Sequence, residues 1–287
     1  MNTSPKPGPD DCVSDQKIPS RSSYLPLVLC GSYWRTQDSF KNIVVFGDSY
    51  STSFQGTTWV NHLVRQLQKR GCSPNVHNFA VPGHTAEEDL SDQLSLFFKK
   101  FPEQKSSDAI SALDSAATTY FVFLGINDCG RRRSEALEFI VEDIFDTVHD
   151  LYVKAQARNF VLIDVPLVDR SPQGNSHPFQ SDQEVLLTDA SSAIELECME
   201  KIEERVETWN KLLRTQAIEF QSKTTDATVL IFSSHKLFSD ILDDPLEYEF
   251  TEDDPETEGG GIWVDDLHPT SEVHDILGEQ IFTSVLA

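Results

Sequence analysis

The residues of this sequence best suited to chemistry are a serine, a histidine and an aspartate. Ile43 to Phe46 is an apolar run that passes directly into Gly47-Asp48-Ser49. A buried strand would end there in a tight turn and lift one hydroxyl to the sheet's edge, which makes Ser49 a candidate nucleophile. A serine hydroxyl attacks poorly at its own pKa. It needs a histidine base, a carboxylate to hold that base, and donors for the oxyanion that forms. Far along the chain, Asp265 and His268 stand three residues apart in WVDDLHP. At that spacing a carboxylate reaches one imidazole nitrogen while the other faces Ser49. Asp266 competes for the orienting role. The order Ser, Asp, His suits such an array, because geometry rather than chain order defines it.

These residues need a scaffold that brings strand ends together. After Ser49, Trp59, Val60, Leu63, Val64 and Leu67 recur at helical spacing up to Gly71, a stop signal. Asn75 to Val81 reads as a short strand. Pro82-Gly83-His84 then turns the chain into a helix capped by Thr85 and Glu88 and carrying Leu90, Leu94, Phe97 and Phe101. Tyr120 to Leu124 is a third strand, ending in Gly125-Ile126-Asn127-Asp128. A long helix on Leu137 to Tyr152, a strand at Phe160 to Val165, a helix on Met199 to Ala217 and a fifth strand at Val229 to Phe232 follow. Between the fourth strand and that helix, Asp169 to Ser192 is polar, carries Pro172 and Pro178, and reads as a surface excursion. The last helix carries Val273, Leu277 and Ile281. Apolar strands alternating with helices imply a five-stranded parallel sheet covered on both faces, a three-layer α/β/α sandwich. In such sheets sites form at the carboxyl ends of the strands, where the FGDSYS, PGHT and GIND motifs all lie.

One domain, residues 39–287, accounts for the pattern, and residues 1–38 read as a flexible arm with Tyr24 and Trp34 as docking points. With 39% hydrophobic residues the chain can bury a sizeable core. Lys and Arg total 23 against 47 Asp and Glu, a net charge of −24 that repels phosphate backbones and anionic membranes. Nucleic acid and membrane partners are therefore not expected, and a monomer is the default. The first twenty residues hold no apolar run of the kind a signal peptide uses, so the chain reads as intracellular at face value, with secretion the alternative. Five cysteines form neither a CxxC pair nor an even set. The acidic run from Asp243 to Glu258 reads as solvated loop, seven residues before Asp265 and near the rim of the site. No HExxH or paired His/Cys spacing points to a metal, and no cofactor is expected. His84 could line a pocket, and His274 in the last helical pattern reads as exposed.

Singly, Ser49 could be a cap, Gly83 a turn former, Asn127 an Asx-turn residue and His268 a surface group. Together, GDSY at Ser49, the Gly83 turn in NFAVPGHT, GIND at Asn127 and DDLH at His268 resemble the SGNH (GDSL-type) serine hydrolase family, in family order from residue 42 to about 285. NIVVFGDSYS and WVDDLHPT look most like the fungal acetylesterases of carbohydrates. The resemblance implies Ser49 as nucleophile, His268 as base and then acid, and Asp265 as its orienter. It also implies an oxyanion hole from the Ser49 and Gly83 backbone N–H groups and the Asn127 amide. Tyr50 departs from the Leu of the family's four-letter name, at a position without a catalytic role. The function expected is a serine esterase removing short acyl groups, acetyl above all, from hydroxyl-rich or oligosaccharide substrates through an acyl-enzyme. The alternatives are a lipase or phospholipase on longer chains, an acyltransferase, or a catalytically silent carbohydrate-binding relative.

Overall fold

A computed structural model describes residues 23–52, 56–102, 113–176 and 201–286 of the chain. The start of the arm, most of the excursion between Asp169 and Ser192, and the Met199 end of the helix expected there lie outside the described residues. The sheet has six strands: β1 (Leu27–Leu29), β2 (Asn42–Gly47), β3 (Asn75–Asn78), β4 (Thr118–Phe123), β5 (Asn159–Ile163) and β6 (Thr228–Phe232), in the order β1-β6-β5-β4-β2-β3. Five run parallel; β4, β5 and β6 are buried along their whole length, as apolar strands of a covered parallel sheet are, and β3 is the polar edge strand.

The expectation of five strands omits β1, which pairs antiparallel with β6. Three residues are too few to show a period, and Leu27–Leu29 falls within the segment read as an arm. The described part of that segment is laid along β6. Ser233 N–H donates to Tyr24 O at 2.8 Å, Gly31 N–H to Thr228 Oγ1 at 2.9 Å, and the Tyr24 hydroxyl to Asp240 at 3.0 Å.

Among the described residues the helices are α1 (Trp59–Lys69), α2 (Ala86–Lys100), α3 (Ile126–Arg131), α4 (Ser134–Lys154), α5 (Pro172–Ser176), α6 (Ile202–Lys223), α7 (Ser234–Asp243) and α8 (Ser271–Val285). The chain leaves β2 in one direction across the sheet, through α1 to β3. It then crosses to the other side of β2 and steps outward through β4, β5 and β6. With right-handed crossovers, α1 covers one face and α2, α4 and α6 the other. The packing agrees: α1 rests on α8, while α2 touches α4 and α4 touches α6. The reversal falls between neighbouring strands β2 and β4, and a crevice opens beyond their carboxyl ends at such a switch. Ser49 follows β2, and Asn127 follows β4.

α8 returns to α1 at close range because residue 278 is glycine. A Cβ there would meet His62 Cβ at 2.7 Å and Trp59 O at 2.9 Å. This approach carries the loop before α8 over the end of β2.

Candidate active site

The loop that ends in His268 is closed by its own hydrogen bonds. Val264 N–H donates to His268 O at 2.8 Å and Thr270 N–H to Ile262 O at 2.8 Å, and buried Trp263 anchors the loop through Nε1 to Pro255 O at 2.9 Å. Inside it, Asp265 accepts from the amides of Leu267 at 2.9 Å and His268 at 2.7 Å, and meets His268 Nδ1 at 2.9 Å. Burial alone would raise this carboxyl, but the hydrogen bonds from His268 and Leu267 outweigh it and hold Asp265 below the usual carboxylate range. An ionised carboxylate can only accept, so the network assigns the proton to Nδ1. Nε2 is left with its lone pair, 2.8 Å from Ser49 Oγ. Asp266 takes no part through its side chain in the bonds described, and its carbonyl accepts from Gln173 N–H at 2.7 Å.

Two further strand-end turns are tied to each other beside this array. Gly125 opens α3 at φ +119°, in the left-handed region, and a Cβ there would strike the Trp209 indole at 2.3 Å. Asn127 Nδ2 donates to His84 O at 2.9 Å, which pins the amide with one of its two N–H groups. Asp128 accepts from the Ala86 and Glu87 amides at 3.0 and 3.1 Å and so caps α2. Gly83, at φ +81°, lies in the turn so held. Among the described residues, neither the Ser49 nor the Gly83 N–H is taken up by a protein acceptor. Two backbone donors and one amide N–H are thereby available near the strand ends.

Behind the nucleophile turn, Asp48 is fully buried. Its Oδ1 accepts from Tyr50 N–H at 2.9 Å, and its Oδ2 has no partner among the described residues. Burial lifts this carboxyl to about 7, the Asp128 charge adds to the rise, and the Tyr50 amide opposes it. A carboxyl that ionises at about 3.8 unfolded and about 7 folded gives an unfolded state that loses its proton first as pH rises. Stability is then lost between those values, by about 4 kcal/mol at most, and the loss is complete above 7. Asp48→Asn should accordingly be stabilised relative to wild type more at pH 8 than at pH 5. Urea unfolding at both values would measure this, and an equal difference at the two would refute it.

Several participants carry no sequence signal. Tyr50 is buried, its hydroxyl donates to Leu267 O at 2.9 Å, and its ring lies 6.2 Å from that of His268, so it links the nucleophile turn to the histidine loop. His274, which reads as exposed in the helical pattern, is 4% exposed and lines the cleft at Ser49. The helical period marks Val273 as the core face, but α1 covers the adjacent position as well. Burial depresses His274 to about 3, helped by His62 and His268, and keeps it neutral. His84 has a carboxylate that spacing does not reveal, Asp89 at 3.9 Å. Arg205 donates to Cys129 O at 3.1 Å and braces α3 from α6. The acidic run contributes no residue to the cleft lining. It serves the site instead through Asp254, which accepts from Gly261 N–H at 2.7 Å.

A hydroxyl, an imidazole and a carboxylate in series, with N–H donors on adjoining strand ends at a parallel-sheet switch point, are an arrangement suited to a hydrolase of the serine type. Residues 43–281 match the GDSL-like lipase/acylhydrolase model, and the chain belongs to that family of carboxylic ester hydrolases. It is 25% identical over 289 residues to an acetylesterase of Thermothelomyces thermophilus, with 85% of this chain and 87% of that protein covered. Its fold is similar to that of an acetylxylan esterase from Geobacillus stearothermophilus, at TM-score 0.54 and 14% identity over 88% of this chain and 96% of that one. An α/β hydrolase enzyme from the metagenome of Lake Arreo, Spain, matches at TM-score 0.54 and 14% identity, covering 90% of this chain and 100% of the other.

Proposed function

We propose that the protein is a serine esterase that removes acetyl groups from hydroxyl-rich alcohols, carbohydrates foremost, through an acyl-enzyme. The observation that carries this reading is the 2.8 Å contact between Ser49 Oγ and His268 Nε2, with Asp265 on the other ring nitrogen, at the wall of an open cleft. Ser49 Oγ attacks the ester carbonyl carbon as its proton passes to His268 Nε2, and the carbonyl oxygen becomes an oxyanion. The Ser49 and Gly83 N–H groups and the Asn127 amide stabilise that charge. His268 then gives its proton to the departing alcohol oxygen, and the C–O bond breaks to leave an acyl-serine. Water attacks the acyl carbon in turn and loses a proton to His268. Ser49 leaves with that proton and the acid is released.

The cleft favours a small polar alcohol. Its volume is about 140 Å3. Thr52, Thr57 and Ser271 are among the residues that line it, beside the apolar Pro82, Val264 and Pro269. The acetylesterase relative supports the acetyl preference. The test is a series of esters of one alcohol with acyl chains of two, four and eight carbons. The highest kcat/KM is expected for acetate, and a rise with chain length would favour the lipase reading.

Asn127→Ala removes a donor engaged chiefly in the transition state. It should lower kcat by about 10²–10³ with a smaller change in KM. A change confined to KM would make Asn127 a ground-state binder.

A further inference from the structure

A second carboxylate, imidazole and hydroxyl stand in series across the cleft from Ser49, on elements that have no role in the steps above. Asp275 of α8 bonds His62 Nδ1 of α1. His62 Nε2 lies 2.9 Å from Thr57 Oγ1, and Thr57 Oγ1 lies 3.4 Å from Ser271 Oγ. His62 is buried, and the close approach at Gly278 is what brings the two helices near enough for the pair to form. Arg65 Nη2, which can only donate, lies against the same ring, 2.7 Å from Nδ1 and 3.0 Å from Nε2. His62 Nε2 thereby holds the Thr57 hydroxyl in place, and that hydroxyl also donates to Ser271 Oγ. The Thr57 oxygen keeps a lone pair for the cleft that the residue lines.

The direction of the chemistry says what lies there. His268 must hand its proton to the departing oxygen, so the alcohol sits against His268 Nε2. The cleft has His268 as one wall and Thr57, Ser271 and His274 as others, whereas Gly83 and Asn127 are not among its lining residues. His274 adds a neutral imidazole whose buried Nδ1 meets no partner among the described residues. We propose that this cleft is the alcohol subsite, and that Thr57, held by His62 and Asp275, selects leaving alcohols that carry a free hydroxyl beside the esterified one. The substrate hydroxyl donates to Thr57 Oγ1 while its neighbour, the ester oxygen, faces His268. This inference rests on the esterase reading above and adds to it a rule for the alcohol.

The test compares cyclohexyl acetate with cis-2-hydroxycyclohexyl acetate, two esters that differ by one hydroxyl. Wild type should prefer the hydroxy ester by about tenfold in kcat/KM, the size of one net hydrogen bond. Thr57→Val should abolish that preference mainly through KM, Thr57→Ser should restore it, and His62→Gln should reduce it. Thermal melting of each variant reports whether it folds. A preference that survives in Thr57→Val, or that is absent from wild type, would overturn the inference while leaving the esterase intact. Wild type that turned over neither ester would remove the esterase reading, and this inference with it.

Discussion

Ser49→Ala should abolish ester hydrolysis, with kcat falling by about 10⁶ on the scale seen when a serine nucleophile is removed from such a relay. The fold should survive. Ser49 is half-buried at a strand-end turn, and the protein bonds around it are made by other groups: Tyr50 N–H to Asp48, Ser51 N–H to Asp48 O, and Asn78 to Ser51 O. Removing one hydroxyl opens no core cavity, so the urea midpoint should shift little. Covalent labelling by a fluorophosphonate should vanish in parallel, because that probe needs the same oxygen. Hydrolysis retained within tenfold of wild type would place the nucleophile elsewhere.

Asp265→Asn is the second large loss. The carboxylate accepts from Nδ1 and from two loop amides, and so fixes both the tautomer and the loop. An amide in its place offers the ring a donor as readily as an acceptor. The imidazole could then carry its proton on Nε2, where it can no longer accept from Ser49. A fall in kcat of about 10⁴ is expected, with KM nearly unchanged. Asp266→Asn serves as the control, since its side chain takes no part in the relay, and should stay within a few-fold of wild type. If the two variants exchanged these results, the neighbouring carboxylate would be the orienter.

Much of this is legible because a buried parallel strand shows itself as an apolar run. Ile43–Phe46, Phe160–Ile163 and Val229–Phe232 have no polar interruption, and the turns at the ends of such strands carry the motifs. Asp265 and His268 are readable because they stand three positions apart in one loop. What stays hidden has in common that its partners come from distant sequence. The Tyr50 hydroxyl meets a carbonyl of residue 267, so a position that looks inert ties the serine turn to the histidine loop. His274 is buried by α1, which no pattern within α8 could announce. The pairing of His62 with Asp275 depends on Gly278, whose missing Cβ reads in sequence as a weak spot in a helix. β1 and α3 are too short for any period to emerge, and α3 begins from a left-handed glycine.

The packing of α8 on α1 also sets a schedule. Ser49 and the nitrogen that would activate it are 219 residues apart. At about 5–20 residues per second of synthesis, roughly 10–45 s pass between the emergence of the serine turn from the ribosome and that of His268. Throughout that interval the growing chain carries an attacking group with no base beside it. On the proposed mechanism, hydrolytic competence therefore arrives as a late event in folding.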